Sequence, residues 1–281
     1  MGERKITKDR MELFADYLRR EERSMGTIDK YLRDVRQFAS WLNGKAVTKE
    51  AAAAWKESLL RCGCSPVTVN SKLAALGSFL RCMGWEDCRV KALKLQRRLF
   101  RDEGKELTRD EYDRLLTAAG AQGKTRLALL LETICATGIR VSEVRSITVE
   151  AARMGRAEIA LKGKIRTILL PGKLCRKLLK YAKGQKIASG ALFVTGSGKS
   201  MSRKQIWAEM KRLCSGAGVE PSKVFPHNLR HLFARCFYRV CRDVAKLADV
   251  LGHSSIETTR IYLISTGAEH AKTLNMLRLV S

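Results

Sequence analysis

Residues 224–237 have the sequence VFPHNLRHLFARCF, which combines the apolar spacing of a helix with three polar side chains. Phenylalanine and leucine recur every three or four positions, as they do on the buried face of a helix. His227, Arg230 and His231 interrupt that face, and two of the chain's four histidines lie here. Because polar groups beside a core need hydrogen-bonding partners, the stretch predicts a helix that begins at a polar site.

The two histidines four residues apart could also indicate a metal pair. However, Asn228 stands where a zinc protease carries glutamate, and no third ligand is evident. We therefore expect no metal at this helix.

The charge of the whole chain indicates the kind of partner. Its 281 residues are 45% hydrophobic, enough for one large domain or two ordinary ones with a sizeable core. Lysine and arginine total 54 against 28 acidic residues, which gives a formal net charge of +26. A polyanion, above all nucleic acid, is the expected partner, and binding should weaken steeply with salt.

The nine cysteines are scattered and form no C-x-x-C pair, so zinc-ribbon spacing is absent. Their odd number, with no signal peptide before them, indicates reduced thiols and a cytoplasmic location, associated with the nucleoid. The longest apolar run is short and is broken by Glu132, so no membrane contact is expected.

The first part of the chain predicts helices only. Four short apolar patterns joined by tight turns are typical of a small helical bundle, and Ser65 with Pro66 marks the start of a helix over 66–82. The charged stretch that follows indicates a linker. We therefore predict a helical domain over 1–92, a linker over 93–106 and a second domain over 107–281.

The second domain predicts mixed structure. Thr108 and Glu111 form a capping box, as do Ser202 and Gln205. Two β-like runs, 157–161 and 165–170, flank Lys162-Gly163-Lys164 and predict a hairpin, while 191–195 predicts a third strand. Further helices are expected at 127–136, 226–240, 243–251, 255–263 and 269–279. The fold class is thus mainly α with a small antiparallel β-sheet (α+β).

Several side chains in this domain suit chemistry on a phosphodiester. The planar guanidinium of arginine matches two non-bridging oxygens and keeps its charge. Arg140 follows a Thr-Gly turn, and Glu143 lies close enough to orient it. The remaining candidates are Arg230, Lys162 on the hairpin turn, His253 after a glycine, and Tyr262. Each alone is a weak signal.

Taken together, their order and separations resemble the tyrosine recombinase (phage integrase) family. The matching segments are Ala136-Thr-Gly-Ile-Arg140-Val-Ser-Glu143, the Lys162 hairpin, His227-x-x-Arg230-His231, Leu251-Gly-His253 and Thr258-Thr-x-x-Tyr262. The resemblance covers the second domain closely and extends to the N-terminal bundle, which is similar to that family's core-binding domain. Leu263-Ile264 stands where relatives often carry a histidine, and Arg235 replaces a usually small residue.

The resemblance implies roles for these residues. Tyr262 is the nucleophile that forms a 3′-phosphotyrosyl link, and His227 is the general base. Arg140, Arg230 and His253 hold the phosphate, and Lys162 protonates the leaving 5′ hydroxyl. Lys164 is a rival to Lys162 for that step. His231 receives no catalytic step.

The resemblance also implies the partners: double-stranded DNA with a specific recombination site, a homo-tetramer assembled on it, and an accessory directionality factor. The two domains of relatives clamp the duplex. In the tail helix 268–281, an apolar stripe suits docking on a neighbouring protomer or on its own domain. The candidate DNA contacts are Thr68, Asn70 and Lys72 on the 66–82 helix, with Lys164 and Arg203; the three on that helix could equally form a solvated face.

No cofactor is expected. The GSGKS stretch at 196–200 is similar to the end of a phosphate-binding loop, but Phe193 occupies the position of its first glycine. The leading function is a site-specific recombinase acting in integration or excision of a mobile element. A type IB topoisomerase and a non-catalytic DNA-binding protein remain alternatives. The sequence does not separate integration from excision, inversion or dimer resolution.

Overall fold

The structure is a computed structural model that describes residues 4–95, 103–161, 164–263, 272 and 274–277. The chain divides into two units, Met1–Arg97 and Arg98–Ser281. No helix among the described residues is both long and apolar enough to cross a lipid bilayer.

The first unit is a bundle of helices around an aromatic core. Its helices are α1 Lys8–Arg20, α2 Met25–Leu42, α3 Lys49–Arg61 and α4 Pro66–Cys82. Phe14 packs edge-on against Phe79, and Phe38 lies against Trp55, with ring centroids 5.3 and 4.9 Å apart. The start of α4 is as predicted, because the Ser65 hydroxyl accepts a hydrogen bond from the amide of Thr68.

The second unit contains the remaining helices and the sheet. Its helices are α5 Arg109–Ala121, α6 Thr125–Thr137, α7 Val149–Met154, α8 Gly172–Gly184, α9 Arg203–Ala217, α10 Pro226–Cys241, α11 Val244–Leu251 and α12 Ile256–Arg260. Both predicted capping boxes are present, at the starts of α5 and α9. The apolar helix α6 lies in the core and contacts α5, α8 and α10, which places its C-terminal end beside the polar start of α10.

The sheet consists of two antiparallel strands over the described residues, β1 Arg156–Leu161 and β2 Lys164–Leu169. Their register pairs Ile159 with Arg166. The predicted fold class, mainly α with a small antiparallel sheet, is confirmed.

The predicted third strand at 191–195 is wrong. This segment makes only isolated bridges, Thr148 with Ala191 and Val194 with Ser200. The chain reverses directly after it, since the amide of Thr195 donates to the carbonyl of Lys199 at 2.8 Å. The turn therefore begins before a strand ladder can extend.

The expected tail helix lies largely outside the described residues. Leu274, Met276 and Leu277, which are described, are 64%, 67% and 53% exposed.

Candidate active site

The polar start of α10 contains an arginine that is almost completely buried. Arg230 is 2% exposed. Its guanidinium donates hydrogen bonds to the carbonyl of Gly138, to the carbonyl of Leu251 at 2.7 Å and to Nε2 of His253 at 2.9 Å. Both carbonyls lie at helix C-termini, where the helix dipole stabilises a positive charge. These groups are the partners that the polar residues in this helix require.

Three arginines from other parts of the domain donate hydrogen bonds to the C-terminal end of α11. Successive backbone carbonyls accept one guanidinium each: Val250 from Arg166 at 2.7 Å, Leu251 from Arg230 at 2.7 Å, and Gly252 from Arg140 at 3.2 Å. The last carbonyls of a helix have no partners within it, so they are available to such donors. We call the carbonyls of residues 250–252 the α11 terminus. By binding three guanidinium groups, it brings three positive charges close together.

Arg140 is oriented by Glu143, a carboxylate that is 3% exposed. The backbone amide of Arg140 donates to Oε2 of Glu143 at 2.7 Å, and its Nη1 donates to Oε1 at 2.9 Å. Gly138, in the left-handed conformation at φ 65°, ends α6 just before this turn. The side chain of Arg140 stays 37% exposed, so an anionic ligand can reach it.

His253 is held between an arginine and a threonine. Because arginine can only donate, Nε2 of His253 accepts from Arg230, and the ring proton lies on Nδ1. That Nδ1–H donates to Oγ1 of Thr259 at 2.8 Å. Burial, reinforced by the charges of Arg230 and Arg140, lowers the pKa of His253 to about 4. The imidazole is therefore neutral near neutral pH.

Tyr262, 6% exposed, lies among three histidine rings. Its ring is stacked on His253 with centroids 5.6 Å apart, and the rings of His231 and His227 lie 4.4 and 5.8 Å away. Burial lowers the pKa of Arg230, and the nearby Tyr262 side chain opposes that lowering. Burial and the neighbouring arginine charges lower the pKa of His227, so this imidazole is also free to accept a proton.

The structure thus brings together five of the six predicted catalytic residues: Arg140, His227, Arg230, His253 and Tyr262. Lys162 lies outside the described residues. Lys164 begins β2, and Arg203, which is exposed, begins α9.

The three candidate DNA contacts on α4 differ in their surroundings. Thr68 is exposed. The side-chain amide of Asn70 donates to the carbonyl of Leu93 at 2.9 Å and accepts from its amide at 2.8 Å. Lys72 contacts Gln37 and lies 3.7 Å from Asp34. Asn70 and Lys72 therefore make contacts within the N-terminal unit.

Two site residues escaped the sequence analysis, Arg166 and Thr259. Arg166 belongs to none of the quoted motifs, and its contacts are with residues distant in sequence. Thr259 lies inside the Tyr262 motif, and its spacing of six residues from His253 was the available signal. Among the described residues, no three His, Cys, Asp or Glu side chains converge in a way that could hold a metal ion.

Two partly buried histidines, His231 and His253, predict that acid destabilises the fold. Burial lowers the pKa values of His231 and His253 from 6.5 to about 4. Between these values the unfolded chain binds more protons than the folded one, so stability is full above about pH 6.5 and falls as the pH drops towards 4. Thermal unfolding of wild type and of His231→Gln between about pH 4 and pH 6.5 tests this pH dependence. The midpoint should fall more steeply for wild type, whereas parallel curves would contradict the assignment.

Comparisons with known proteins agree with this geometry. The model of the phage integrase family matches residues 105–269, and that of the phage integrase N-terminal SAM-like domain matches residues 11–87. Tyrosine recombinase XerA of Thermococcus kodakarensis is 31% identical over 272 residues, covering 93% of this chain and 92% of the relative. Tyrosine recombinase XerA of Pyrococcus furiosus is 30% identical over 281 residues, covering 97% and 94%.

Solved structures share the fold at lower identity. A lambda integrase tetramer bound to a Holliday junction superposes with a TM-score of 0.73 at 17% identity, covering 90% of this chain and 76% of that one. The Tn1549 transposon integrase in complex with transposon right end DNA gives 0.71 at 17% identity, covering 97% and 99%. Since the first family model matches more than half of the chain, and XerA relatives match nearly all of it, this protein belongs to the phage integrase family, the tyrosine recombinases.

Proposed function

We propose that this recombinase cuts and rejoins DNA strands at specific sites through a covalent 3′-phosphotyrosyl intermediate, for integration or excision of a mobile element. The observation that carries the proposal is the meeting of Tyr262 with Arg230 and His253 at the α11 terminus. A DNA-binding protein without catalysis needs no tyrosine among three histidine rings beside a buried arginine.

The reaction uses the site as follows. The phenolic oxygen of Tyr262 attacks the scissile phosphorus, and its bond to phosphorus forms as the bond from phosphorus to the 5′ oxygen breaks. His227, whose pKa is lowered by partial burial and by the charges of Arg230 and Arg140, accepts the phenolic proton. Lys162 donates a proton to the leaving 5′ oxygen. A 5′ hydroxyl of another strand then reverses these steps, so the number of phosphodiester bonds is conserved.

The positive charges act on the phosphate. Arg140 and Arg230 hold the non-bridging oxygens and stabilise the charge that develops in the transition state. His253 joins them when its proton moves from Nδ1 to Nε2. Thr259 allows that change, because its hydroxyl accepts from Nδ1–H in one tautomer and donates to Nδ1 in the other.

Thr259→Val is therefore expected to slow DNA cleavage by about 10-fold to 100-fold, the size of effect seen when a group that orients a metal-ligating histidine is lost. Valine keeps the shape of this fully buried side chain but removes the partner of Nδ1. Single-turnover cleavage rates measure the effect. Thr259→Ser should restore the rate, and Thr258→Val, at the exposed neighbouring position, should leave it unchanged. A wild-type rate in Thr259→Val would refute the role.

The test of the function is covalent capture. The protein is incubated with a pool of nicked duplexes of randomised sequence, and adducts are isolated under denaturing conditions and sequenced. We expect enrichment of one sequence, with DNA attached through its 3′ end and a free 5′ hydroxyl at the cut. The absence of an adduct, or attachment through the 5′ end, would refute the proposal. Relaxation of any supercoiled plasmid without an enriched sequence would instead support a type IB topoisomerase.

We also propose that residues 1–92 grip the duplex, with 93–106 as the linker and 107–281 as the catalytic domain. Thr68 and Arg203 are exposed and available as DNA contacts, whereas Asn70 and Lys72 would have to exchange their present partners. Lys164, at the start of β2, is a further proposed contact. A homo-tetramer on DNA, with exposed Leu274 and Leu277 of the tail docking on a neighbour, suits strand exchange. An accessory factor would set its direction.

A further inference from the structure

Arg166 is a third arginine at the phosphate site that the assigned roles leave unexplained. It lies on β2, opposite Ile159, and its side chain is only 14% exposed. Burial of a guanidinium is costly unless partners compensate it. Arg166 shares the strand face of Ile168, which is 3% exposed, whereas Leu169 on the other face is 76% exposed, so the Arg166 guanidinium needs partners inside the domain.

The contacts of Arg166 join two parts of the site. Its Nη1 lies 3.4 Å from both carboxylate oxygens of Glu143, the residue that orients Arg140. Its Nη2 donates to the carbonyl of Val250 at 2.7 Å, in the α11 terminus. One side chain from the sheet thus links the carboxylate that orients Arg140 to the helix end that binds all three arginines.

The chain at Gly252 is shaped around Arg166. Gly252 has φ +63°, and a Cβ at this position would overlap the side chain of Arg166. Gly252 also supplies the carbonyl that Arg140 contacts, and His253 follows directly. The backbone that contacts Arg140 and carries His253 therefore packs directly on the Arg166 side chain.

The charges around Arg166 agree with a place inside the site. Burial lowers the pKa of Arg166, the carboxylate of Glu143 opposes this, and the charges of Arg230 and Arg140 add to the lowering. One carboxylate therefore faces three guanidinium groups. The site therefore has a net positive charge, which favours binding of an anion.

We propose that Arg166 is a positioning residue of the phosphate site, which fixes Glu143 and the α11 terminus so that Arg140 and His253 are held ready for the non-bridging oxygens. The inference rests on the proposed function, because it assumes that the anion is the scissile phosphate. It assigns Arg166 no contact with the phosphate itself.

The test compares cleavage of two DNA substrates, one with an ordinary phosphodiester and one with a neutral methylphosphonate at the cut. Arg166→Ala should cleave the phosphodiester about 10-fold to 100-fold more slowly than wild type. On the methylphosphonate the difference should shrink to a few-fold, because the arginines then have less charge to balance. Equal slowing on both substrates, or no slowing, would overturn the proposal.

Two further variants complete the test. Arg166→Lys keeps the charge but replaces the two nitrogens that contact Glu143 and Val250 with one, so its rate should be intermediate. A wild-type rate would refute the bridging role, and this variant decides the matter if Arg166→Ala does not fold. Leu169→Ala, at a 76% exposed position on the same strand, should match wild type on both substrates. If wild type itself forms no adduct, the proposed function fails; if only Arg166→Ala behaves like wild type, this inference fails alone.

Discussion

Tyr262→Phe is expected to abolish the covalent protein–DNA adduct, lowering cleavage on the order of 10⁴-fold or more, as loss of a nucleophile does. The change removes one oxygen. The ring keeps its packing against His231 and His253, so the fold and DNA binding should be retained. Denaturing electrophoresis of the captured adduct measures the effect, and a gel shift measures binding.

Tyr238→Phe is the matched control for this prediction. Tyr238 lies on α10 and packs against the same small core as Tyr262, but it has no assigned step. It should form the adduct at the wild-type rate. An adduct that persists in Tyr262→Phe would mean that another residue is the nucleophile.

Arg230→Lys is expected to reduce cleavage on the order of 10²-fold to 10³-fold, the usual effect of losing one donor to a transition-state oxyanion. Lysine keeps a positive charge but cannot reach Gly138, Leu251 and His253 at once, as the planar guanidinium does. Arg230→Ala should lose as much activity and also destabilise the fold, because it leaves buried carbonyls without donors, each costing about 1–3 kcal/mol.

Cleavage rates and thermal unfolding together measure both effects. Arg239→Ala, at an exposed position on the same helix, is the control and should change neither. Wild-type cleavage by Arg230→Lys would show that a charge without the fork geometry is sufficient, which would remove the phosphate-holding role proposed for this guanidinium.

The helices and their starts could be predicted because their signals are local. Thr108 with Glu111, and Ser65 with Pro66, each place cap and partner within a few residues, and the structure contains both. The segment 191–195 also had a local signal, its β-like composition. It is not a strand because the turn to Lys199 follows immediately, and strand formation depends on a partner of sufficient length.

The candidate site was only partly predictable. Side chains that match a motif could be named, but their anchors could not, because these are backbone carbonyls at the end of α11. The predicted helix over 243–251 locates these carbonyls, but every helix end offers them, so the sequence gives no sign of which side chains bind there. The same limit applies to Asn70, whose partner Leu93 is 23 residues away and is bound through its backbone.

The anchoring of the arginines by main-chain oxygen atoms has a genetic consequence. A substitution at positions 250–252 changes a side chain but keeps the backbone carbonyl, so most missense mutations leave these three acceptors in place. The vulnerable points of the site are two glycines instead. A methyl group at Gly138 would collide with the Phe233 ring, and one at Gly252 would collide with Arg166. Both glycines also have positive φ. Substitutions should thus be tolerated at Val250 and be rare at Gly138 and Gly252.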